Sequence, residues 1–209
     1  EGLAGTSFSN TSLTLKIEGE KTFDQKGALL ITHWGLSGPA LLKLSAWSAR
    51  EMMHASYKAK IIVNWLGINH QNDAEKLINT IKNNNTKTSV GKAYPIGLTK
   101  RFWLQLLIKC EILKDKNWSE ISKKEFQYIL KNLYSCELEI NGKSRFKEEF
   151  VECGGIDLKE INFKTMESKI CSGLYFSGEV IDVDGITGGF NFQSAWTAGW
   201  TAGSNMLID

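Results

Sequence analysis

The chain has 209 residues, 42% hydrophobic and 23% charged, a globular composition that excludes wholesale disorder. Its 25 Lys and Arg face 23 Asp and Glu, and a net charge of +2 is too balanced to announce a nucleic-acid surface. No apolar run approaches the roughly 20 residues of a membrane span.

Taken in chain order, Leu13, Leu15 and Ile17 alternate with polar residues and predict a strand. Glu18-Gly19-Glu20 predicts a turn into a second, short strand ending near Phe23. The apolar run 28–32 predicts a third strand, buried on both faces. In His33-Trp34-Gly35-Leu36-Ser37-Gly38-Pro39 the glycines permit a tight turn, and Pro39 suits the first position of a helix over 39–54. Ile61, Ile62 and Val63 favour a strand over 60–66. Ala74, Leu77, Ile78 and Ile81 share one helical face, and Asn83-Asn84-Asn85 ends that helix in a polar, mobile loop reaching Pro95. Thr99 caps the next helix, with Phe102, Leu106, Leu107 and Cys110 inward. Ser122-Lys123-Lys124-Glu125 is a capping box ahead of Phe126, Ile129, Leu130 and Leu133. Lysines 100, 109, 114, 116, 123 and 124 alternate with acids and read as a solvated face.

Asn141-Gly142 predicts a hairpin between strands 137–140 and 145–151. A short strand over 174–177, a glycine-studded loop and a helix over 191–204 complete the chain. Trp196 and Trp200, at helical spacing, are expected in the core. The four cysteines, at 110, 136, 153 and 171, form no CxxC pair and no zinc-like spacing with His33, His54 or His70. Reduced thiols, no metal and a cytoplasmic setting are therefore expected. The sequence opens at Glu1 with neither a start Met nor a signal peptide, and reads as part of something longer.

The chemistry concentrates in residues 173–196. There a strand opens into a loop, and Gly188-Gly189 leads into a helix start whose unpaired amides carry a partial positive charge. Glycines at that point let a flat or phosphorylated ligand approach the backbone. Glu179, Asp182 and Asp184 supply acceptors for ribose-like hydroxyls, and lack the spacing of a calcium loop. Ala195, Ala198, Gly199, Ala202 and Gly203 allow the helix to pack closely on a neighbouring sheet.

This segment, with Thr165-Met166-Glu167-Ser168-Lys169 and Thr32-His33-Trp34-Gly35-Leu36-Ser37-Gly38-Pro39-Ala40, resembles the BaiN-like flavoproteins, also described as the aminoacetone-oxidase family. The resemblance implies an α+β chain: a β-rich insert domain with a helical subdomain, followed by the C-terminal part of a Rossmann-like FAD-binding domain. The insert would occupy 1–139, with a barrel-like part and a helical block at 72–133, and the FAD-domain portion 140–209. FAD is the implied cofactor, with NAD(P)H a candidate electron donor. Gly178, Glu179 and Asp182 resemble the ribityl or pyrophosphate site. Gly188, Gly189, Phe190 and Asn191 resemble the loop beside the isoalloxazine.

His33 is the candidate catalytic residue, set against a plain histidine satisfied by a backbone carbonyl. The family's GxGxxG turn is absent, and Gly154-Gly155 and Gly188-Gly189 do not replace it. The resemblance thus describes a fragment of an FAD-dependent oxidoreductase acting on a small-molecule substrate, inactive alone and weak for FAD. Its expected partner is the missing N-terminal dinucleotide-binding segment or a chain supplying it, with no nucleic acid and no membrane. The other reading is a non-catalytic binding or assembly module, or an inactive remnant.

Overall fold

Alternation in the first third becomes a long antiparallel hairpin. β1 (Ser7–Lys16) turns its Phe8, Leu13 and Leu15 inward, and β2 (Phe23–Ile31) pairs with it from Ser7 opposite Leu30 to Leu15 opposite Phe23. The computed structural model describes residues 2–142, 152–186 and 188–206. These divide into two compact units, Glu1–Leu44 with Glu51–Lys143, and Ser45–Arg50 with Ser144–Asp209.

The first unit is built on a five-stranded antiparallel sheet. β3 (Leu36–Ser37), β4 (Lys58–Asn64) and β5 (Cys136–Asn141) complete it in the order β3-β2-β1-β4-β5. α1 (Pro39–Trp47) and α2 (Ala49–His54) follow β3, and α3 (Gln71–Asn84), α4 (Lys100–Lys109) and α5 (Lys123–Tyr134) form the helical block. Thr99 Oγ1 accepts from the Phe102 amide at 3.2 Å, and Ser122 and Glu125 close their capping box from both sides. The helical stripes and the inner sheet face meet in one core, in which Leu13, Val63, Ile78, Ile129 and Leu133 are wholly inaccessible. Burying each such side chain contributes about 1.5–3 kcal/mol.

Four expectations over residues 2–142 need correction. There is no short strand before Phe23: the chain turns at Gly19, where φ is +79°, and Phe23 begins β2. The run 28–32 is not buried on both faces; only Leu29 is fully buried. The helix expected over 39–54 breaks between Trp47 and Ala49, at Ser48, a residue type that favours helix starts over interiors. The loop before Pro95 is anchored rather than loose. Trp103 Nε1 donates to Val90 O at 2.7 Å and Trp118 Nε1 to Ala93 O at 3.0 Å, and Val90 is fully buried. β5 is present, whereas the partner strand expected over 145–151 lies outside the described residues.

The second unit holds β6 (Ile161–Asn162), β7 (Glu167–Ser168), a 3₁₀ turn at Gly178–Val180 and α6 (Phe190–Met206). Its buried apolar core is small: Ile161, Met166, Ile181, Ala198 and Ala202. The strand expected over 174–177 does not form. Tyr175 makes a single bridge to Glu167, because β7 is only two residues long and offers no further edge. The Rossmann-like part of the expected fold therefore has no parallel sheet among the described residues. Trp196 and Trp200, expected inside, are 68% and 75% exposed. Among the described residues no helix is long and apolar enough to cross a membrane.

Candidate functional site

The loop leading into α6 is shaped by glycine and one asparagine. Gly188 and Gly189 have φ of +136° and +86°, a region that L side chains rarely enter, and nothing lies within 4 Å of where a Gly189 side chain would begin. The Phe190 ring leans on Gly188. Asn191 is turned back on the loop: Gly185 N–H donates to Asn191 Oδ1 at 2.7 Å, and Asn191 Nδ2 donates to Gly185 O at 2.9 Å. A side chain at Gly185 would lie 3.1 Å from that Oδ1. Gln193 N–H closes the first α6 bond onto Gly189 O at 3.0 Å. The amides just before it lack helical acceptors, so the helix start remains a donor-rich, positively polarised end.

The carboxylates on the same loop are partly committed. Arg50 donates to Asp182 Oδ1 at 2.6 Å and to Asp184 at 3.4 and 3.5 Å. A guanidinium fork that spans two acids fixes the chain between them. Nothing in the sequence marks Arg50 for this role, since it lies 132 residues from Asp182. Cys153 belongs to the same cluster. Partial desolvation pushes its thiol up to about 11, and the hydrogen bond and charge of Asp184 push it the same way, against Arg50.

Glu179 sits in the 3₁₀ turn, exposed, beside Gly178 at φ +77° with open space before it. Gly155 brings the chain against this segment. Ile156 N–H donates to Val180 O at 2.9 Å, and Asp182 N–H donates to Ile156 O at 3.3 Å.

Gly189 therefore faces open space, whereas the Phe190 ring stands against Gly188, and Glu179 is presented to solvent. Asp182 has one carboxylate oxygen held by Arg50, and the Asn191 amide is spent on Gly185. A cavity of about 260 Å³ lies along α6, lined by Phe163, Met166, Ile181, Val183, Thr197 and Ala198 among others. It is below the range of about 300–1,000 Å³ usual for small-molecule sites. Among the described residues no three His, Cys, Asp or Glu side chains gather as a metal site.

His33 stands in the other unit, exposed at the tip of the β2–β3 turn. Thr32 organises that turn. Its N–H donates to Gly35 O at 2.8 Å, and its Oγ1 accepts from Trp34 and Gly35 at 3.3 and 3.1 Å. Trp34 beside it is 81% exposed. Gly38 lies close against β2, where a Cβ would be 3.0 Å from Ala28 O.

The family profile described as "HI0933-like protein barrel and H2TH domain" matches residues 1–151. The ribosomal RNA dihydrouridine synthase of Haemophilus influenzae is 35% identical over 199 residues, 93% of this chain and 46% of that protein. The enzyme of the same name from Escherichia coli K12 is 30% identical over 180 residues, 86% of this chain and 42% of its own length. The 3-dehydro-bile acid delta(4,6)-reductase of Clostridium scindens is 27% identical over 180 residues, 86% of this chain and 44% of that reductase. The chain thus spans less than half the length of each of these relatives.

Proposed function

We propose, because this chain belongs to the HI0933-like family of barrel and H2TH domains, that it is the substrate-side domain and flavin-facing tail of an FAD-dependent reductase of conjugated C=C bonds. Dihydrouridine is uridine with one ring double bond reduced, and a delta(4,6)-reductase removes unsaturation from a steroid-like ring. The relatives' names thus share one chemistry on two substrates. The two more similar relatives favour uridine in RNA.

The observation that carries the fragment reading is the α6 face. Phe192, Trp196 and Trp200 recur every four residues along the helix and stay 68–75% exposed, above a unit core of five side chains, two of them alanine. A unit with so little buried surface is marginal alone. An aromatic row of this size suits a further sheet, supplied by the dinucleotide-binding segment that the longer relatives have room to contain.

FAD, when bound, would supply the hydride and set the redox chemistry. The residues of this chain would do the rest. Gly188 and Gly189 would let the ring edge reach the start of α6, whose amides favour negative charge there by about 0.3–2 kcal/mol. Glu179 and Gly178 would meet the polar tail of the cofactor. Arg50, through Asp182 and Asp184, and Asn191, through Gly185, would hold the loop in place. His33, next to Trp34, would act on the substrate side.

The test uses the longer gene product. Purified with FAD it should be yellow, and Gly189→Val should remove the colour while Gly173→Val does not. Gly173 has a similar φ of +79° and equally open space, so it controls for backbone strain. With NADPH and ribosomal RNA the parent should form dihydrouridine, read by nucleoside mass. A longer product that stays colourless after incubation with FAD would defeat the proposal.

A further inference from the structure

The overall charge of +2 conceals an uneven distribution. Residues 71–134 carry twelve Lys and Arg against six Asp and Glu, a net +6, which leaves −4 for the rest of the chain. The structure gathers much of this charge. Residues 86–92 lie alongside 114–119: Val90 N–H donates to Lys116 O and Gly91 N–H to Lys114 O, both at 2.8 Å. Trp118 N–H donates to Thr88 O at 3.1 Å, and Ser119 N–H to Thr86 O at 3.0 Å. Lys87 and Lys92 thus stand on one segment, Lys114 on its neighbour, and Lys123 and Lys124 on the first turn of α5 just beyond. All five are exposed, and none has a carboxylate partner within 4.0 Å among the described residues.

The local acids are mostly engaged elsewhere. Glu120 accepts from the Asn117 amide at 2.7 Å, and Glu125 takes Lys116 at 2.7 Å together with the Ser122 cap, which leaves Glu111 and Asp115. The lysine-bearing segment is also rigidly mounted, since the buried and stacked Trp103 and Trp118 each donate an indole N–H to its backbone. A set of exposed ammonium groups without carboxylate partners, and with no arginine fork among them, suits phosphate contacts rather than a single bidentate acid.

We infer that Lys87, Lys92, Lys114, Lys123 and Lys124 form a contact surface for the phosphate backbone of structured RNA. The choice of RNA rests on the reductase reading above; the surface itself rests on charge and geometry. The ridge would position the substrate without reading its sequence.

The 209-residue chain should bind a fluorescein-labelled RNA stem-loop, with affinity falling roughly 100-fold between 50 and 200 mM salt if four or five phosphates are engaged. Lys87→Glu, Lys92→Glu and Lys114→Glu together should weaken binding at least 30-fold and flatten the salt dependence. Lys16→Glu, Lys58→Glu and Lys164→Glu, an equal charge change at other exposed positions, should cost less than fivefold. Equal loss in both variants, no binding by the parent at 50 mM salt, or tighter binding to vesicles with 30% phosphatidylglycerol than to the RNA would overturn the inference. These arms contain no flavin, so they succeed or fail independently of the colour test on the longer protein.

Discussion

Asn191 and Gly185 hold one another through two hydrogen bonds, each residue both donating and accepting, at 2.7 and 2.9 Å. This pair closes the loop ahead of α6, so the position of the glycines depends on an amide side chain that can do both jobs. Asn191→Asp keeps the acceptor and loses the donor, whereas Asn191→Ala loses both. At about 0.5–1.5 kcal/mol per hydrogen bond, the Gly185 amide should exchange with solvent roughly fivefold faster in the aspartate variant. In the alanine variant it should exchange 10- to 100-fold faster. Identical exchange in all three proteins would show that the loop is held by something else.

Gly155 is required for a different reason. A Cβ there would lie 2.6 Å from Asp182 N and Val180 O, both backbone atoms that cannot rotate away. Gly155→Ala should break the pairing of Ile156 with Val180 and Asp182 and destabilise the second unit by about 2 kcal/mol or more. Gly154→Ala, at φ +116° but with open space before it, should cost about 1 kcal/mol. Separate melting of the two variants by scanning calorimetry measures the difference. Equal melting temperatures would show that the 180–182 backbone yields.

How much of this could be seen in the sequence depends on the range of the interactions. The capping box at Ser122 and Glu125, the Thr99 cap and the inward stripe of α5 are local patterns and were legible to the residue; the stripe of α4 also includes the wholly buried Trp103, which the spacing did not place inward. The end of β4 came two residues early because the Asn64 side chain folds onto Leu66, Gly67 and Ile68, which a propensity scale does not register. Arg50 was invisible, since its partners lie more than 130 residues away. Trp196 and Trp200 followed the periodicity of a buried helix and stand exposed, because periodicity says that a face wants burial without saying what covers it. Lys114, Lys123 and Lys124 read as a solvated face because acids alternate with them, and the sequence does not show that Glu120 and Glu125 are engaged by the Asn117 amide and Lys116.

Glu125 gives the first unit a defined response to acid. Its hydrogen bond from Lys116 comes first, with Ser122 adding to it, and together they hold the carboxyl down to about 2 from an ordinary 4.5, against partial burial. Between those values the unfolded chain binds a proton that the folded chain refuses. The stability it contributes is therefore complete above about pH 4.5 and is lost as the pH falls toward 2. With the pair about a quarter exposed, screening brings the contribution to about 1–2 kcal/mol. Glu125→Gln can still cap the helix but has no charge for Lys116. Urea unfolding at pH 6 and pH 3 should therefore show a smaller drop in the variant than in the parent; parallel drops would remove Glu125 from the account.

The thiols should separate by chemistry rather than by count. Cys110 and Cys136 are buried, and burial first of all pushes Cys110 up to about 11. Cys153 and Cys171 are both exposed, but partial desolvation first, and then Asp184 beside it, raise the Cys153 thiol to about 11. At pH 8 a thiol of pKa 11 is ionised to about one part in a thousand, and the thiolate is the species that reacts. Limited iodoacetamide treatment should therefore label Cys171 well ahead of Cys153, with Cys110 and Cys136 modified only on unfolding. Asp184→Asn removes the nearby negative charge and leaves Arg50, so Cys153 labelling should rise several-fold while Cys171 is unchanged. Peptide mass mapping over a time course reads both rates. If Cys153 in the parent already keeps pace with Cys171, the cluster of Arg50, Asp182, Asp184 and Cys153 does not exist in solution as the structure draws it.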